Sequence, residues 1–250
     1  MVTRLALGFA HTCALRDDGS VWCWGDNARL QVGSDGLLQS KPVRVQGLDA
    51  AKEIAAGAAY TCALLESGQV ACWGENVKGE LGVAPSPPQA TPVIVALPGK
   101  AVFIAASLGF ASYACAILES GAVSCWGSPD ATQRCGGPSS VLPANNPALA
   151  GATRLVLGFH DTCAVFADGH LACCGENDQG QLGNGTSGTA TLTLGPTVPA
   201  LTQVAQAAMG EYQICAVDHG KAYCWGDNVQ GQLCLDPQGG GAIKAPTIVP

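Results

Sequence analysis

Ten of the thirteen cysteines stand in five pairs, and each pair is centred on a short polar turn that contains glycine. The turn is Asp17-Asp18-Gly19 in the first pair and His219-Gly220 in the last. Because both cysteines of a pair lie equally far from the turn, each pair is predicted to face across an antiparallel hairpin. The pairs are Cys13 with Cys23, Cys62 with Cys72, Cys115 with Cys125, Cys163 with Cys173, and Cys215 with Cys224.

The hairpins recur at a period of about 50 residues, which is typical of propellers and solenoids. In most units the hairpin follows a strand of small residues and precedes a polar loop and a strand that starts with proline, as in Pro42-Val-Arg-Val45. This pattern predicts an all-β fold with about four short strands per repeat. We predict one repeat domain over residues 1–250, with units at approximately 1–45, 46–95, 96–145, 146–198 and 199–250.

The facing cysteines are candidates for disulfides, packed thiols or metal ligands. Cβ atoms directly across a hairpin lie about 4.5–5.5 Å apart, closer in non-hydrogen-bonded pairs, and a disulfide needs about 3.5–4.5 Å. Zinc would need four ligands, which no Cys-x-x-Cys or histidine spacing provides. The sequence therefore favours five disulfides and an oxidising location, extracellular or on the cell surface, with packed thiols as the alternative.

Three cysteines lie outside the pairs: Cys135, Cys174 and Cys234. Cys174 adjoins Cys173, so we expect it to compete for Cys163 as a partner. A single leftover cysteine is more often a small buried hydrophobe than a nucleophile, and that is the role expected here.

Charge and hydropathy exclude two classes of partner. The net charge is −7, and the 12 basic residues are scattered, so we predict neither a nucleic-acid site nor binding to an anionic membrane. Since no apolar stretch reaches the roughly 20 residues of a spanning helix, we predict no membrane insertion. The first residues also lack the apolar region of a signal peptide, so either the chain is made without a leader or its true start lies upstream.

Carboxylates recur just after the second cysteine strand, beside an asparagine, in four of the five repeats. They could form an acidic binding ring, but hydrogen bonding within their own loops is the favoured role. We find no Ser-His-Asp or Cys-His arrangement, and we predict no catalytic residue, cofactor or metal site. The four candidate residues of the ring are Asp26, Glu75, Glu176 and Asp227.

Three segments resemble the repeat of the regulator of chromosome condensation family: Gly8-Phe-Ala-His-Thr-Cys-Ala-Leu15, Val21-Trp-Cys-Trp-Gly-Asp-Asn27 and Gly175-Glu-Asn-Asp-Gln-Gly-Gln-Leu-Gly183. The resemblance implies a β-propeller with one four-stranded blade per repeat, hence about five blades. Because the chain ends on the strand type that precedes its first strand, we expect the C-terminal strand to complete the first blade. A closed ring is therefore favoured over an open arc.

The repeats depart from the family pattern at two positions. The family histidine is present only as His11, and the family tryptophan is replaced by Cys174 in the fourth repeat. The residues at the histidine position of the later repeats are Tyr60, Tyr113, Asp161 and Gln213.

The predicted function is a non-catalytic propeller that presents loops to another protein, in a secreted or surface setting. The family resemblance implies relatives that are exchange factors for a nuclear GTPase, and others that are secreted inhibitors of β-lactamases. Three alternatives stay open at this point: a regulator of a small GTPase that acts as an exchange factor, a hydrolase or lyase with carboxylates at the axis, and a structural module of a larger repeat protein.

Overall fold

The computed structural model describes residues 1–109, 112–128, 135–199, 201–235 and 241–249. The chain forms two compact units: unit 1 holds residues 1–129 and 138–145, and unit 2 holds residues 130–137 and 146–250. The described part is all-β apart from a short 3₁₀ helix at Pro147–Leu149. Its strands are β1 Val2–Leu7, β2 His11–Arg16, β3 Val21–Asp26, β4 Leu38–Arg44, β5 Ala51–Ala56, β6 Tyr60–Leu65, β7 Val70–Gly74, β8 Gln89–Ile94, β9 Ala101–Ala106, β10 Tyr113–Leu118, β11 Val123–Gly127, β12 Ala144–Asn145, β13 Ala152–Leu157, β14 Asp161–Phe166, β15 Leu171–Gly175, β16 Val204–Met209, β17 Gln213–Asp218, β18 Lys221–Asp227 and β19 Ala242–Ile248.

Unit 1 contains three antiparallel sheets of four strands, each paired in sequence order. Blade 1 is β1–β4, blade 2 is β5–β8 and blade 3 is β9–β12. The fourth strand of blade 3 is only two residues long, where the sequence also marks this strand poorly. The inner strand β6 is buried along its whole length, because its sheet is covered on both faces.

Unit 2 contains blade 4, β13–β15, and blade 5, β16–β19. Isolated bridges from Ala172 to Thr197 and from Gly175 to Thr191 stand where blade 4 would have a fourth strand. The C-terminal strand β19 pairs with β18 in its own sheet, and blade 1 takes all four strands from residues 2–44. The prediction that the C-terminal strand completes the first blade is therefore wrong.

The turns between the cysteine strands have the geometry that their sequences predict. Gly19 has φ +75, as the third residue of a three-residue hairpin loop requires. In the shortened fifth turn, His219 and Gly220 have φ +49 and +73, the pattern of a two-residue type I′ turn. The shorter turn keeps the register, so Cys215 still lies directly opposite Cys224.

The apolar cores within each unit lie between consecutive blades. Leu15, Val21 and Val32 of blade 1 pack with Ile54 and Trp73 of blade 2. The same arrangement recurs between blades 2 and 3 and between blades 4 and 5. Each of these blades thus has a leading face, on the side of the preceding blade, and a trailing face, on the side of the following one.

Candidate functional site

The candidate site is the loop that follows the third strand of a blade, and a buried asparagine organises it. In blade 2, Asn76 Oδ1 accepts a hydrogen bond from Leu81 N at 3.1 Å, and Nδ2 donates to Ala84 O at 2.8 Å. This one side chain is thereby hydrogen-bonded to the loop backbone at two separate positions. Equivalent bonds are made by Asn27, Asn177 and Asn228.

A second buried polar side chain closes the inside of the loop. Gln31 Oε1 accepts from Arg29 N at 2.8 Å, and Glu80 Oε2 accepts from Lys78 N at 2.7 Å. Burial of Glu80 raises the pKa of its carboxyl. The sequence analysis missed this residue type, although a Gln or Glu five positions after the first carboxylate recurs in four loops.

The predicted ring carboxylates are held by partners near their own strands. Asp26 Oδ2 accepts from Gln31 Nε2 at 2.8 Å, and Asp227 Oδ2 accepts from Gln232 Nε2 at 2.8 Å. The other oxygen of Asp227 accepts from the backbone N of Val229, which makes an Asx-type turn.

The two glutamates instead lie beside basic side chains. Glu75 Oε1 lies 3.3 Å from Arg29 Nε, and Glu176 Oε1 lies 3.4 Å from His160 Nδ1. Over the described residues, no group of three or more His, Cys, Asp or Glu side chains is arranged to hold a metal ion. Each of the four carboxylates thus has a polar or basic partner among the described residues.

Each loop framework displays the two residues that follow its asparagine. Val77 and Lys78 are exposed in blade 2, and Val229 and Gln230 are exposed in blade 5. The corresponding pairs are Ala28-Arg29 in blade 1 and Asp178-Gln179 in blade 4, where Gln179 is half-buried. Four similar frameworks thus present four different pairs of side chains.

The loop also connects to the next blade through a tryptophan. Trp73 Nε1 donates to Gln31 O at 3.0 Å, Trp126 Nε1 to Glu80 O at 2.9 Å and Trp225 Nε1 to Gln181 O at 2.9 Å. All three indoles are fully buried. A glycine at the end of each of these loops gives the ring room, since a Cβ on Gly33 would lie 3.1 Å from Trp73 Nε1.

All five facing cysteine pairs form disulfides, as predicted. Their Cα–Cα distances are 4.1 Å, or 4.2 Å for the last pair. These distances fit a non-hydrogen-bonded pair, for which about 4.5 Å is typical, and exclude a hydrogen-bonded pair at about 5.5 Å. The bonds join Cys13 to Cys23, Cys62 to Cys72, Cys115 to Cys125, Cys163 to Cys173 and Cys215 to Cys224.

Cys174 forms a sixth disulfide, with Cys135, across a sequence separation of 39. The expectation that Cys174 competes for Cys163 is wrong, because side chains of neighbouring strand residues point to opposite faces, so Cys173 and Cys174 diverge. Cys135 and Cys174 are not lone buried thiols either. Cys234 is free and exposed, which contradicts the expected buried role.

The position of the family histidine is buried in blades 1 to 4. His11 Nε2 lies 2.8 Å from Thr61 Oγ1, and that hydroxyl donates to Gln31 O at 3.0 Å. His11 Nε2 is therefore the donor, and burial lowers the His11 pKa to about 4. Burial raises the Asp161 pKa to about 8, with a further contribution from the charge of Glu176. Asp161 Oδ1 meets no donor among the described residues.

Among the residues that the structure describes, no helix has the length and apolar character needed to cross a membrane. Six disulfides are typical of proteins in an oxidising compartment, as the sequence predicts from its cysteine pairs.

Two family models match the N-terminal part of the chain, both described as the regulator of chromosome condensation (RCC1) repeat. One matches residues 2–31 and 51–80, and the other matches residues 18–64. The matches thus fall on the cysteine hairpins of blades 1 and 2 and on the loops that follow them.

Solved structures resemble the whole chain. Human WBSCR16 is 18% identical with a TM-score of 0.83, and the match covers 100% of this chain and 67% of that one. Prp20p from Saccharomyces cerevisiae is 22% identical with a TM-score of 0.81, covering 99% of this chain and 65% of that one. The ectodomain of the Arabidopsis thaliana receptor kinase ACR4 is 20% identical with a TM-score of 0.55, covering 100% and 66%. This chain therefore spans about two thirds of the length of these structures. Blades 1 and 2 match the RCC1 repeat, and the fold of the chain is similar to that of the RCC1-like β-propellers WBSCR16 and Prp20p.

Proposed function

We propose that the chain is a non-catalytic binding module that recognises another protein with the loops after the third strands of its blades. The proposal rests on one observation: the buried hydrogen-bonded framework of these loops is the same in four blades, whereas the exposed residues at their tips differ. Buried Asn76 and Glu80 fix the blade 2 loop from inside, while Val77 and Lys78 stand in solvent. Exposed loops on a rigid scaffold are common binding surfaces.

The loops are better suited to a protein than to a small substrate. An enzyme that used the four carboxylates would need them free to reach one reacting group. Asp26 and Asp227 are instead bonded to glutamines of their own loops, Glu75 is paired with Arg29, and Glu176 lies beside His160. The proposal therefore assigns no catalytic role to them.

Site-specific photo-cross-linking tests the loop surface. A photoreactive residue at Val77 or Val229 is expected to trap one partner, and the same residue at exposed Gln46 serves as the control. Lys78→Ala is expected to weaken capture at Val77 without changing the disulfides. Equal capture at Gln46, or capture that Lys78→Ala leaves unchanged, would contradict the proposal.

A small-GTPase regulator is the second candidate, and the fold likeness to Prp20p favours it. Prp20p binds Gsp1p and histones. For this chain, exchange activity would appear as faster release of a labelled guanine nucleotide from a small GTPase. An unchanged release rate would leave the binding module as the sole proposal.

We also propose an extracellular or cell-surface location, because six disulfides would not persist in a reducing cytosol. Intact mass measured with and without reductant on protein from its native source tests this: oxidised protein is lighter by two hydrogens per bridge. Complete alkylation without reduction would contradict it. The closed ring that the sequence favours stays a prediction.

A further inference from the structure

Two aromatic rings from neighbouring blades stack on each other in unit 2. His160 lies in the loop between β13 and β14, and Tyr212 lies in the loop between β16 and β17. Their ring centroids are 5.9 Å apart with an interplanar angle of 18°, and both residues are half-buried. The ring of Phe159 lies beside His160, with centroids 6.2 Å apart. The two loops together thus present flat aromatic surface at the border with solvent.

Three carboxyl groups lie near the Tyr212 hydroxyl. Burial raises the pKa of this hydroxyl, and the negative charges of Glu211, Glu176 and Asp161 raise it further. Glu211 is exposed, and Glu176 is half-buried with its Oε1 3.4 Å from His160 Nδ1. Within the described residues, no lysine or arginine forms an ion pair with any of the three. The stacked rings are therefore bordered by negative charge that a cation from outside could neutralise.

The carboxyl of Asp161 is buried beside this surface. Asp161 is 2% exposed, and its Oδ1 has no hydrogen-bond donor among the described residues. A Cβ on Gly175 would lie 2.5 Å from this oxygen, so Oδ1 points towards the end of β15, where Glu176 follows. Because an unpaired buried oxygen is costly, a positive group bound near Glu176 would stabilise the carboxylate.

Blade 1 has a partner for its side chain at the same repeat position. There His11 Nε2 lies 2.8 Å from the hydroxyl of Thr61, which belongs to the next blade. Strand pairing places Ile214 of blade 5 at the position of Thr61. Since an isoleucine side chain has no polar atom, blade 5 gives the Asp161 carboxyl no partner where blade 2 gives one to His11.

We propose that this site in unit 2 binds an arginine side chain of the partner protein, with the guanidinium stacked on Tyr212 and its N–H groups directed at Glu176 and Glu211. A guanidinium is planar, stacks on aromatic rings and presents five N–H donors that match carboxylates. A lysine ammonium has the charge but not the plane, so it should bind more weakly. The net charge of −7 also favours a partner with a basic surface. The inference rests on the proposed function, because the arginine belongs to the protein that the loops bind.

Binding of the arginine should be coupled to the proton on Asp161. Burial raises the pKa of this carboxyl to about 8, and the charge of Glu176 contributes. A nearby cation favours the ionised carboxylate, so affinity should rise with pH up to about 8 and then level off. His160, Glu211 and Tyr212 are the other titratable groups that face the site. A proton on His160 would repel the cation and would change affinity in the same direction, so an Asp161 variant is needed to separate the two.

Nuclear magnetic resonance titration of the whole chain with N-acetyl-arginine amide tests the site without the partner. The ring signals of Tyr212 and His160 are expected to shift and to saturate as the probe concentration rises. N-acetyl-citrulline amide has the same shape without the charge and should cause no such shift. N-acetyl-lysine amide, with a free ammonium, should bind more weakly than the arginine probe.

Four variants assign the contributions of single residues. Glu176→Gln and Tyr212→Leu should each weaken binding of the arginine probe by about fivefold. Glu66→Gln, at an exposed carboxylate of unit 1, is the matched control and should bind as wild type does. Asp161→Asn should still bind the probe, but its affinity should no longer rise between about pH 7 and about pH 8.

Three outcomes would overturn the proposal: equal responses to the arginine and citrulline probes, a lysine probe that binds as tightly as the arginine probe, and an affinity that Tyr212→Leu leaves unchanged. Photo-cross-linking at Val229 reports on the proposed function separately. Capture there that Glu176→Gln does not weaken would contradict the arginine site alone, whereas lost capture with an intact response to the probe would contradict the proposed function alone. Each variant is first checked for six intact disulfides, which separates a lost contact from a misfolded chain.

Discussion

Blades 2 and 4 fill the same two buried repeat positions with different chemistry. Blade 2 has Tyr60 and Trp73, and both donate hydrogen bonds to backbone carbonyls. Blade 4 has Asp161 and Cys174, which are buried just as deeply. Cys174 is satisfied by a covalent bond, whereas Asp161 keeps one oxygen without a donor among the described residues and has a raised pKa. The fold thus fixes how deeply a position is buried, and the side chain decides whether a hydrogen bond, a disulfide or a proton satisfies it.

Removing the indole of blade 2 should have the largest effect. We expect Trp73→Ala to lower the free energy of unfolding by about 3–5 kcal/mol, since it leaves a cavity and takes a donor from the Gln31 carbonyl. Urea denaturation measures this loss. Trp24→Ala, at the half-buried equivalent in blade 1, is the control and should lower the free energy of unfolding by less than half as much. Equal losses would show that burial at this position does not control stability.

The disulfide that Cys174 forms in blade 4 should contribute nearly as much to the free energy of unfolding as the Trp73 indole. Because Cys135 and Cys174 are 39 residues apart, losing their bridge in the double variant Cys135→Ala with Cys174→Ala should cost up to about 4 kcal/mol through the entropy of the unfolded chain. Each facing pair, ten or nine residues apart, should contribute up to about 3 kcal/mol.

Cys234→Ala is the matched control for that measurement. It changes an exposed free thiol at the repeat position of Cys135, so the free energy of unfolding should stay within about 0.5 kcal/mol. If the double variant behaves like Cys234→Ala, the sixth disulfide does not stabilise the blade.

Much of this architecture could be predicted from the sequence, because local patterns specify it. The equal spacing of Cys13 and Cys23 about their turn fixes a hairpin register, and the repeat carries that register along the chain. The disulfides follow from the register, since directly opposed Cβ atoms are close enough to bond. Asn27 and its equivalents could be placed in loops for the same reason.

The bond between Cys135 and Cys174 could not be predicted, because it joins a loop to a strand of a different repeat and no local spacing records it. The alternation of strand side chains could have shown that Cys174 points away from Cys163. Cys135 and Cys174 stand at the repeat positions of Gly33 and Trp73, and only the folded chain shows that these two positions meet. The proton on Asp161 depends on burial from several elements, which only the folded chain reveals.

The carboxyl of Asp161 should make stability depend on pH in one direction. In the folded chain its pKa is raised to about 8, above its ordinary value of 3.8, so the folded state favours the protonated form. The contribution of Asp161 to stability is therefore greatest at low pH and falls between about pH 4 and about pH 8, by on the order of 1 kcal/mol for each pH unit.

Asp161→Asn should remove that slope, because the amide stays neutral, and it should leave the variant more stable than wild type near pH 8. Urea denaturation over this pH range measures the change. Asp178→Asn, at an exposed carboxylate two positions after Glu176, is the control and should keep the slope. A slope that persists in Asp161→Asn would mean that another group carries the proton.

His11, at the repeat position of Asp161, should give a smaller effect of the opposite sign. Burial lowers its pKa from 6.5 to about 4, so the folded state favours the neutral ring that donates to Thr61. The contribution of His11 to stability should be constant above about pH 6.5 and fall as the pH drops towards about 4, again by on the order of 1 kcal/mol per unit but over a narrower window. Between about pH 4 and about pH 6.5 this contribution opposes that of Asp161. His11→Gln, which has the residue of blade 5 at this position and keeps a donor, should therefore make stability fall more steeply with rising pH in that range. If His11→Gln leaves the pH dependence below about pH 6.5 as it is in wild type, while Asp161→Asn removes the fall in stability above that pH, burial at this repeat position would set the protonation state only where it holds a carboxyl.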